Sequence, residues 1–521
     1  MLGGGNLEPK PESLLHPNGR VQKLTSILEV AKAMTAKRDL DSLLPLILDE
    51  AAKVVDADRC SLFLLDRERR ELRTKIAQGA GEIRVPLGSG IAGLVAETGE
   101  VIKLDDAYAD GRFNRTIDRS TGYRTHTVLC VPMRDAAGEV TGVIQALNKQ
   151  GGAAFTAEDE ELLLALGGQA AVAIENAVLH EEIQGLFEGF VSASVVAIES
   201  RDPSTAGHSG RVASLTLQLA EAVERCGRGP YAAVRFSRNE MQEIRYASLL
   251  HDFGKVGVRE SVLVKPNKLY VEELEILRSR FELARKDRQL ESQQRRLHAL
   301  SLHSGEALAQ FNRDEEEKLE RALREIDDAF EFIVACNRPT VVPQEGFERL
   351  RSIGARVFHD SRGEQRALLS ASEVELLSIP RGTLSSHERR EIESHVTHTF
   401  RFLSLIPWTR TLRRVPEIAY GHHEKLDGSG YPRGIPGDQI PVQSKMMAIA
   451  DIYDALTAAD RPYKKAVAHT MALDILNDEA NRGMLDKHLL DIFIAADVPG
   501  RAVGQLEAGG ADFDTPRPEA P

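Results

Sequence analysis

The sequence predicts a multidomain chain: an α/β unit with an antiparallel sheet and flanking helices, then an all-helical unit carrying a helical insertion. Three observations lead there. At about 150 residues per domain, 521 residues make two large domains or three. Apolar runs broken by polar or glycine turns fill 60–150, as short antiparallel strands do. From about 185 to 495 the apolar spacing turns helical, and no convincing strand is legible.

Composition narrows the function classes. Apolar residues are 42% and charged residues 28%, an ordinary globular mixture. The formal charge is 66 − 79 = −13, so no broad basic field draws the chain onto polymeric nucleic acid. Cys60, Cys130, Cys226 and Cys336 are scattered and form no CxxC pair, which fits a reducing, cytoplasmic setting. The N-terminal residues lack a signal-type apolar core, and no run of about 18 apolar residues predicts membrane insertion.

Residues 1–19 are rich in Gly and Pro and are expected to be disordered. Helices follow over 20–56, broken near Lys37–Asp41, with Leu24, Ile27, Leu28 and Ala31 and then Leu44, Ile47, Leu48 and Ala51 at helical spacing. Residues 60–79 read as two strands around a polar turn. Residues 84–104 read as strand, glycine turn, helix and strand, and 125–150 as a hairpin around Asp135–Gly138. Thr156 is a fitting N-cap for the next helix, with Asp159 three residues on. This first domain spans 20–178. Its last helix continues over 158–190 as a connecting element. The stripe Leu163, Leu166, Ala170, Ala173 and Ala177 suits packing on its own sheet or pairing with a second subunit. The helical domain covers 190–495, with an insertion at about 271–383. In it Leu274, Leu277, Phe281, Ala284 and Leu290, then Leu319, Leu323 and Phe330, suggest a charged helical hairpin. Residues 496–521 are expected to be a disordered tail.

The chemistry-bearing residues are the histidines. Among 15 of them, several stand beside carboxylates at helix boundaries. They are His208, the His251-Asp252 pair with Lys255, His395 and His398, the His422-His423 pair, and then Asp451 and Asp454 on one helical face. Neutral imidazoles with carboxylates suit iron, manganese, zinc or nickel, and such a mixture is what two-metal hydrolysis of a phosphoester requires. Apolar flanks such as Leu249 and Leu250 seat these ligands at the ends of buried helices, where a polar group is costly unless paired or liganded.

HDFGKVG, VLVKPNKL, HHEKLDGSGYPRG, Ile440-Pro441 and IADIYDALTAADRPY together resemble the HD-GYP branch of the HD phosphohydrolases, across about 300 residues. The resemblance implies an all-helical HD-type domain that hydrolyses cyclic di-GMP to linear pGpG, with onward cleavage to GMP left open, using two or three divalent ions. Carried over, the metal ligands are His208, His251, Asp252, His395, His422, His423 and Asp451, with Asp252 bridging. His398 competes with His395. Lys255 would bind the scissile phosphate or protonate the leaving oxygen. Arg461, Lys464, Tyr431 and Asp454 would contact substrate, Tyr431 having a neighbouring protein as its alternative partner. Iron or manganese is the first expectation, with magnesium, zinc, nickel and cobalt as alternatives.

Three departures bear on this. Ser204 stands where three-metal members carry glutamate, which favours a dinuclear site. The histidine expected soon after KPNKL is replaced by Arg278–Arg280, so its role passes to His395, more than a hundred residues on. The spacing from Asp451 to Arg461-Pro462 is one residue longer than is commonest, which loosens the roles of Arg461 and Lys464.

Residues 20–178 resemble a GAF sensor domain. Asn148, Lys149, Phe155, Asp159 and Glu160 match the spaced NKFDE motif of cyclic-nucleotide-binding GAF domains, in which the lysine–aspartate pair ties the sheet edge to the last helix. The resemblance implies a small-ligand sensor, of cyclic nucleotide type first, or a signalling module without ligand. A homodimer through the GAF domain and connecting helix is expected, as are signalling protein partners. The competing functions are a phosphodiesterase for another cyclic dinucleotide or phosphoester, and a non-hydrolysing cyclic di-GMP adaptor.

Overall fold

The computed structural model describes residues 31–34, 37, 39–74, 83–201, 206–339, 344–458 and 466–502. The expectations for Leu24, Ile27, Leu28, Ser204, Arg461, Lys464 and residues 1–19 lie outside them. The chain divides into two compact units, Met1–Gly189 and Phe190–Pro521.

The first unit is a six-stranded antiparallel sheet in the order β3-β2-β1-β6-β5-β4. Its strands are β1 (Ala57–Asp66), β2 (Glu71–Arg73), β3 (Arg84–Pro86), β4 (Ile102–Leu104), β5 (Val128–Arg134) and β6 (Val140–Lys149). Strand alternation sorts the core into two layers. Leu129, Val131 and Met133 face helix α1 (Leu40–Val54) and the start of α4 (Ala157–Arg201). Val128 and Cys130 face the layer of α2 (Gly90–Thr98). A short α3 (Arg115–Thr121) precedes β5. At Gly142 any side chain would collide with the Phe63 carbonyl, so only glycine lets β6 lie against β1 there.

Leu163, Leu166, Ala170, Ala173 and Ala177 are buried against this sheet. Beyond them Leu179, Ile183, Leu186 and Phe190 are exposed at 4-3-4 spacing. Helix α4 is long and apolar enough over 18 residues to cross a membrane by length and composition, with half of that window buried. The sequence predicts no such run; part of the apolar surface of this helix packs on the sheet and part is exposed.

The second unit is helical: α5 (His208–Arg225), α6 (Arg238–Leu250), α7 (Glu260–Leu263), α8 (Val271–Leu300), α9 (Gly305–Asn337), α10 (Gln344–Gly354), α11 (Ala371–Leu377), α12 (Ser386–Leu405), α13 (Val415–Tyr420), α14 (Val442–Thr457), α15 (His469–Asn481) and α16 (Lys487–Ala495). Helices α8 to α11 have their own core, in which Leu277, Phe281 and Ala284 meet Ile326, Ala329, Ile333, Leu350 and Phe358.

Three expectations are corrected here. A two-stranded hairpin, β7 (Val357–His359) with β8 (Gln365–Ala367), lies where no strand was expected, because three-residue strands are too short to show a period. Leu290 is 54% exposed, since the inward face passes from Ala284 to Ser292 and leaves it outside. Residues 498–502 are helical rather than tail, with Val498 and Ala502 buried one turn apart.

A buried ion pair fastens the approach to α8 onto the start of α12. Lys265 Nζ lies 2.7 Å from Glu388 Oε1, which also accepts from the Tyr270 hydroxyl at 2.8 Å. Burial opposes the Glu388 charge, but hydrogen bonds from Lys265, Ser385 and Tyr270 outweigh it and hold the carboxyl at about 2. Because the folded value lies below the unfolded one, the pair's contribution is complete above the ordinary glutamate range and is lost as pH falls toward about 2. Glu388→Gln should destabilise the helical unit by about 3 kcal/mol, because it leaves a buried lysine unpaired. Urea unfolding at pH 7 and pH 3 checks this: the deficit should shrink at the lower pH.

Candidate metal centre

Five imidazole rings form one contiguous group. Ring centres are 5.4 Å apart for His208–His251, 4.9 Å for His251–His422, 4.1 Å for His422–His423 and 5.3 Å for His423–His395. Asp252 and Asp451 sit among them. Asp252 Oδ1 is 3.2 Å from His395 Nε2, and its Oδ2 is 3.5 Å from His251 Nε2. Asp451 Oδ1 is 3.2 Å from His208 Nε2 and 3.9 Å from His251 Nε2, and its Oδ2 is 4.0 Å from His423 Nδ1.

Three of the histidines are held the same way. Nδ1 of His251, His395 and His422 lies 2.7, 2.5 and 2.6 Å from the carbonyls of Ser248, Ile392 and Ala419, each three residues earlier. A carbonyl only accepts, so each Nδ1 carries a proton, and a neutral ring held this way presents its lone pair on Nε2. All three Nε2 atoms are buried without a hydrogen-bond partner. Burial lowers the pKa of His251, pushes His422 well below the usual range, and holds His423 down to about 4. Burial pulls His208 the same way, but hydrogen bonds to Asp451 and Asp454 outweigh it and raise its value to about 9. Asp252 and Asp451 are also shifted against their burial: Lys255 with His251 and His395 holds Asp252 well below the carboxylate range, and His208 with His251 and His423 does the same for Asp451. Orphaned imidazole nitrogens facing two anionic carboxylates fit divalent ions. Three ligand groupings, His208–His251–Asp252, His251–His422–Asp451 and His395–His422–His423, converge within 4.8 Å each.

The fold brings these groups from α5, the end of α6, α12, the turn after α13, and α14. Gly254 is the point of closest approach, because a side chain there would collide with the His395 carbonyl. Thr399 fastens the contact: its hydroxyl donates to the His251 carbonyl at 2.9 Å and accepts the Gly254 amide at 2.8 Å. Ser444 donates to the Ile418 carbonyl at 2.7 Å, seating α14 beneath the His422 turn. Buried Glu424 accepts the amides of Arg433 and Ile435 and holds the loop that carries Tyr431. None of these three carried a motif signal of its own, although Glu424 lies inside HHEK.

His395 joins the cluster, whereas His398 packs against Gly257. Lys255 Nζ lies 2.7 Å from Asp252 Oδ2. The Tyr431 ring is 4.8 Å from that of His423. Gly430 is needed for close approach to the Glu424–Lys425 backbone, where a side chain would collide. Asp454 is the carboxylate expected to contact substrate. It accepts from Arg211 through Oδ1 and is bound through Oδ2 to His208 and Arg211, so both oxygens are engaged behind the cluster.

In the first unit, Lys149 Nζ lies 2.7 Å from Asp159 and donates to the Val55 carbonyl at 3.0 Å. Phe155 is buried beside them. Asn148, at φ 55°, binds Tyr123, Arg124 and the His126 amide through its side chain. Glu160 stands apart, 3.8 Å from Lys103.

Comparisons with known proteins agree with this division. A GAF domain model matches residues 39–174, and HD domain models match 205–329 and 370–489. His208, His251 and Asp252 fall in the first HD match, and His395, His422, His423 and Asp451 in the second. Similar curated proteins include the dual 3′,5′-cyclic-AMP and -GMP phosphodiesterase 11A of Takifugu rubripes, 41% identical over 166 residues, covering 29% of this chain and 18% of that protein. Another is the dual 3′,5′-cyclic-AMP and -GMP phosphodiesterase 11 of Drosophila melanogaster, 36% identical over 176 residues, covering 30% and 12%. The chain thus spans less than a fifth of the length of either. Among solved structures, the GAF domain of a Coxiella burnetii phosphoenolpyruvate-protein phosphotransferase is 24% identical, with TM-score 0.29, covering 31% of this chain and 98% of that one.

His395→Ala should remove at least one bound ion per chain, while His398→Ala keeps the wild-type content. Elemental analysis of anaerobically purified protein distinguishes the two. Equal losses would shift the ligand assignment. The chain carries an N-terminal GAF domain followed by a helical HD domain.

Proposed function

We propose that this chain is a metal-dependent phosphodiesterase that opens a cyclic nucleotide, with the GAF domain as its regulatory input. The observation that carries the reading is the set of three buried, unpartnered Nε2 atoms facing Asp252 and Asp451. His208, His251, Asp252, His395, His422, His423 and Asp451 would hold two divalent ions, iron or manganese first. Bound there, such ions supply Lewis acidity toward the phosphate and lower the pKa of water. Asp252, within reach of histidines from both halves, is suited to bridge. Lys255, 16% exposed in its side chain, is poised to hold a phosphate oxygen or give a proton to the departing 3′-oxygen. Water adds to phosphorus, the P–O3′ bond breaks, and the phosphate stays on the 5′ side.

For the substrate, the HHEKLDGSGYP loop and its companion motifs support cyclic di-GMP, opened to pGpG. Tyr431 offers a ring for guanine beside His423, and Arg461 and Lys464 are the proposed phosphate contacts. A second reading, a cyclic mononucleotide substrate, is favoured by the activities named for the curated relatives. The GAF domain adds a cavity where Phe63, Ile91, Phe113 and Leu147 meet Asp118 and Gln145, a mixture that suits a nucleotide effector. The exposed Leu179, Ile183, Leu186 and Phe190 seam supports pairing with a second copy of the chain. The proposed setting is the cytoplasm.

Anaerobic protein loaded with iron or manganese should convert cyclic di-GMP to pGpG, and Asp252→Asn should lower turnover at least about 100-fold. Hydrolysis of cyclic AMP or cyclic GMP with none of cyclic di-GMP would transfer the assignment to the second reading. Loaded protein inert toward all three would contradict both.

A further inference from the structure

The site histidines are not all supported alike. His251, His395 and His422 rest on neutral main-chain carbonyls. His208 instead places Nδ1 2.7 Å from Asp454 Oδ2. Arg211, three residues further along α5, grips the same carboxylate: Nε is 2.6 Å from Oδ1, and a terminal nitrogen is 3.1 Å from Oδ2. Its other terminal nitrogen donates to the Ala206 carbonyl at 3.0 Å, across the turn that begins α5. The Asp454 side chain is 4% exposed. A planar fork against a carboxylate fixes orientation as well as charge. A carboxylate behind a ligating imidazole both orients the ring and makes its far nitrogen a stronger donor than a carbonyl does.

We propose that Arg211 and Asp454 are positioning residues that clamp His208 and strengthen its Nε2 as a cation ligand. The ion held by His208, His251, Asp252 and Asp451 then depends on this clamp, while the one facing His395, His422 and His423 does not. This rests on the metal-dependent reading above. Arg211 keeps both oxygens of Asp454 in place. Without it, Asp454 keeps only His208 among these bonds, and the ring loses its fixed backing.

Full-length protein, stripped of metal anaerobically, is titrated with cobalt(II), whose ligand-field absorption and bound stoichiometry report each ion separately. Wild type should take two ions. Arg211→Met should weaken one of them by about 10- to 100-fold, with loss of its absorption band, and leave the other unchanged. Arg211→Lys, which keeps the charge but not the fork, should fall between. Asp454→Asn should lose the same ion. Should that variant not fold, Arg211→Met, at a side chain 27% exposed, carries the test, with circular dichroism confirming the fold. Wild-type affinity and spectrum in Arg211→Met would overturn the clamp, as would equal loss of both ions. Wild-type protein that takes no cobalt would instead overturn the metal-dependent reading beneath it.

Discussion

A buried imidazole must put its single proton somewhere, and in this protein that choice organises the helical unit. Three histidines give the proton to carbonyls of their own segments, three residues back. Their other nitrogens are then acceptors buried away from the surface. An unsatisfied buried polar group costs about 1–3 kcal/mol, and three on one point would be a standing liability without a ligand. Two carboxylates face the same point with their pKa values pulled down. Neutral donors and anionic donors around a shared centre are what a pair of divalent ions requires.

The helices around this centre serve its geometry. Gly254 lets the turn after α6 touch the backbone of α12, and Thr399 locks that contact from both sides. Ser444 and Glu424 do the same for the His422 turn and the loop beyond it. The insertion can interrupt the sequence of this unit because it brings its own apolar core. Its entry is fastened by Lys265 to Glu388, at the first turn of the helix that carries His395. A single cluster is thereby assembled from side chains more than a hundred residues apart.

Much of this was legible in the residues. Apolar runs broken by turns over 60–150 announced the sheet, and the HD, HH and D-x-x-D spacings announced the cluster, because ligand chemistry restricts residue types at fixed intervals. What stayed hidden depends on tertiary neighbours. His395 and His398 are one turn apart with the same residue type, and only the packing of α12 decides which faces Asp252. The family resemblance assigns Asp454 to the substrate, and its sharing a helical face with Asp451 does not distinguish that role from support. Arg211, from another helix, turns it into support for His208. Thr399 is one threonine among many until Gly254 lies against it. The β7–β8 hairpin is too short to carry a periodic signal.

The central claim is that a pair of divalent ions sits among these side chains. Anomalous diffraction from crystals of anaerobically purified protein tests it most directly. The account predicts two peaks about 3.5–4 Å apart. One should lie against His208 and His251 and the other against His395, His422 and His423, with Asp252 between them. A map without anomalous density at this cluster, from protein whose elemental analysis shows bound transition metal, would contradict it.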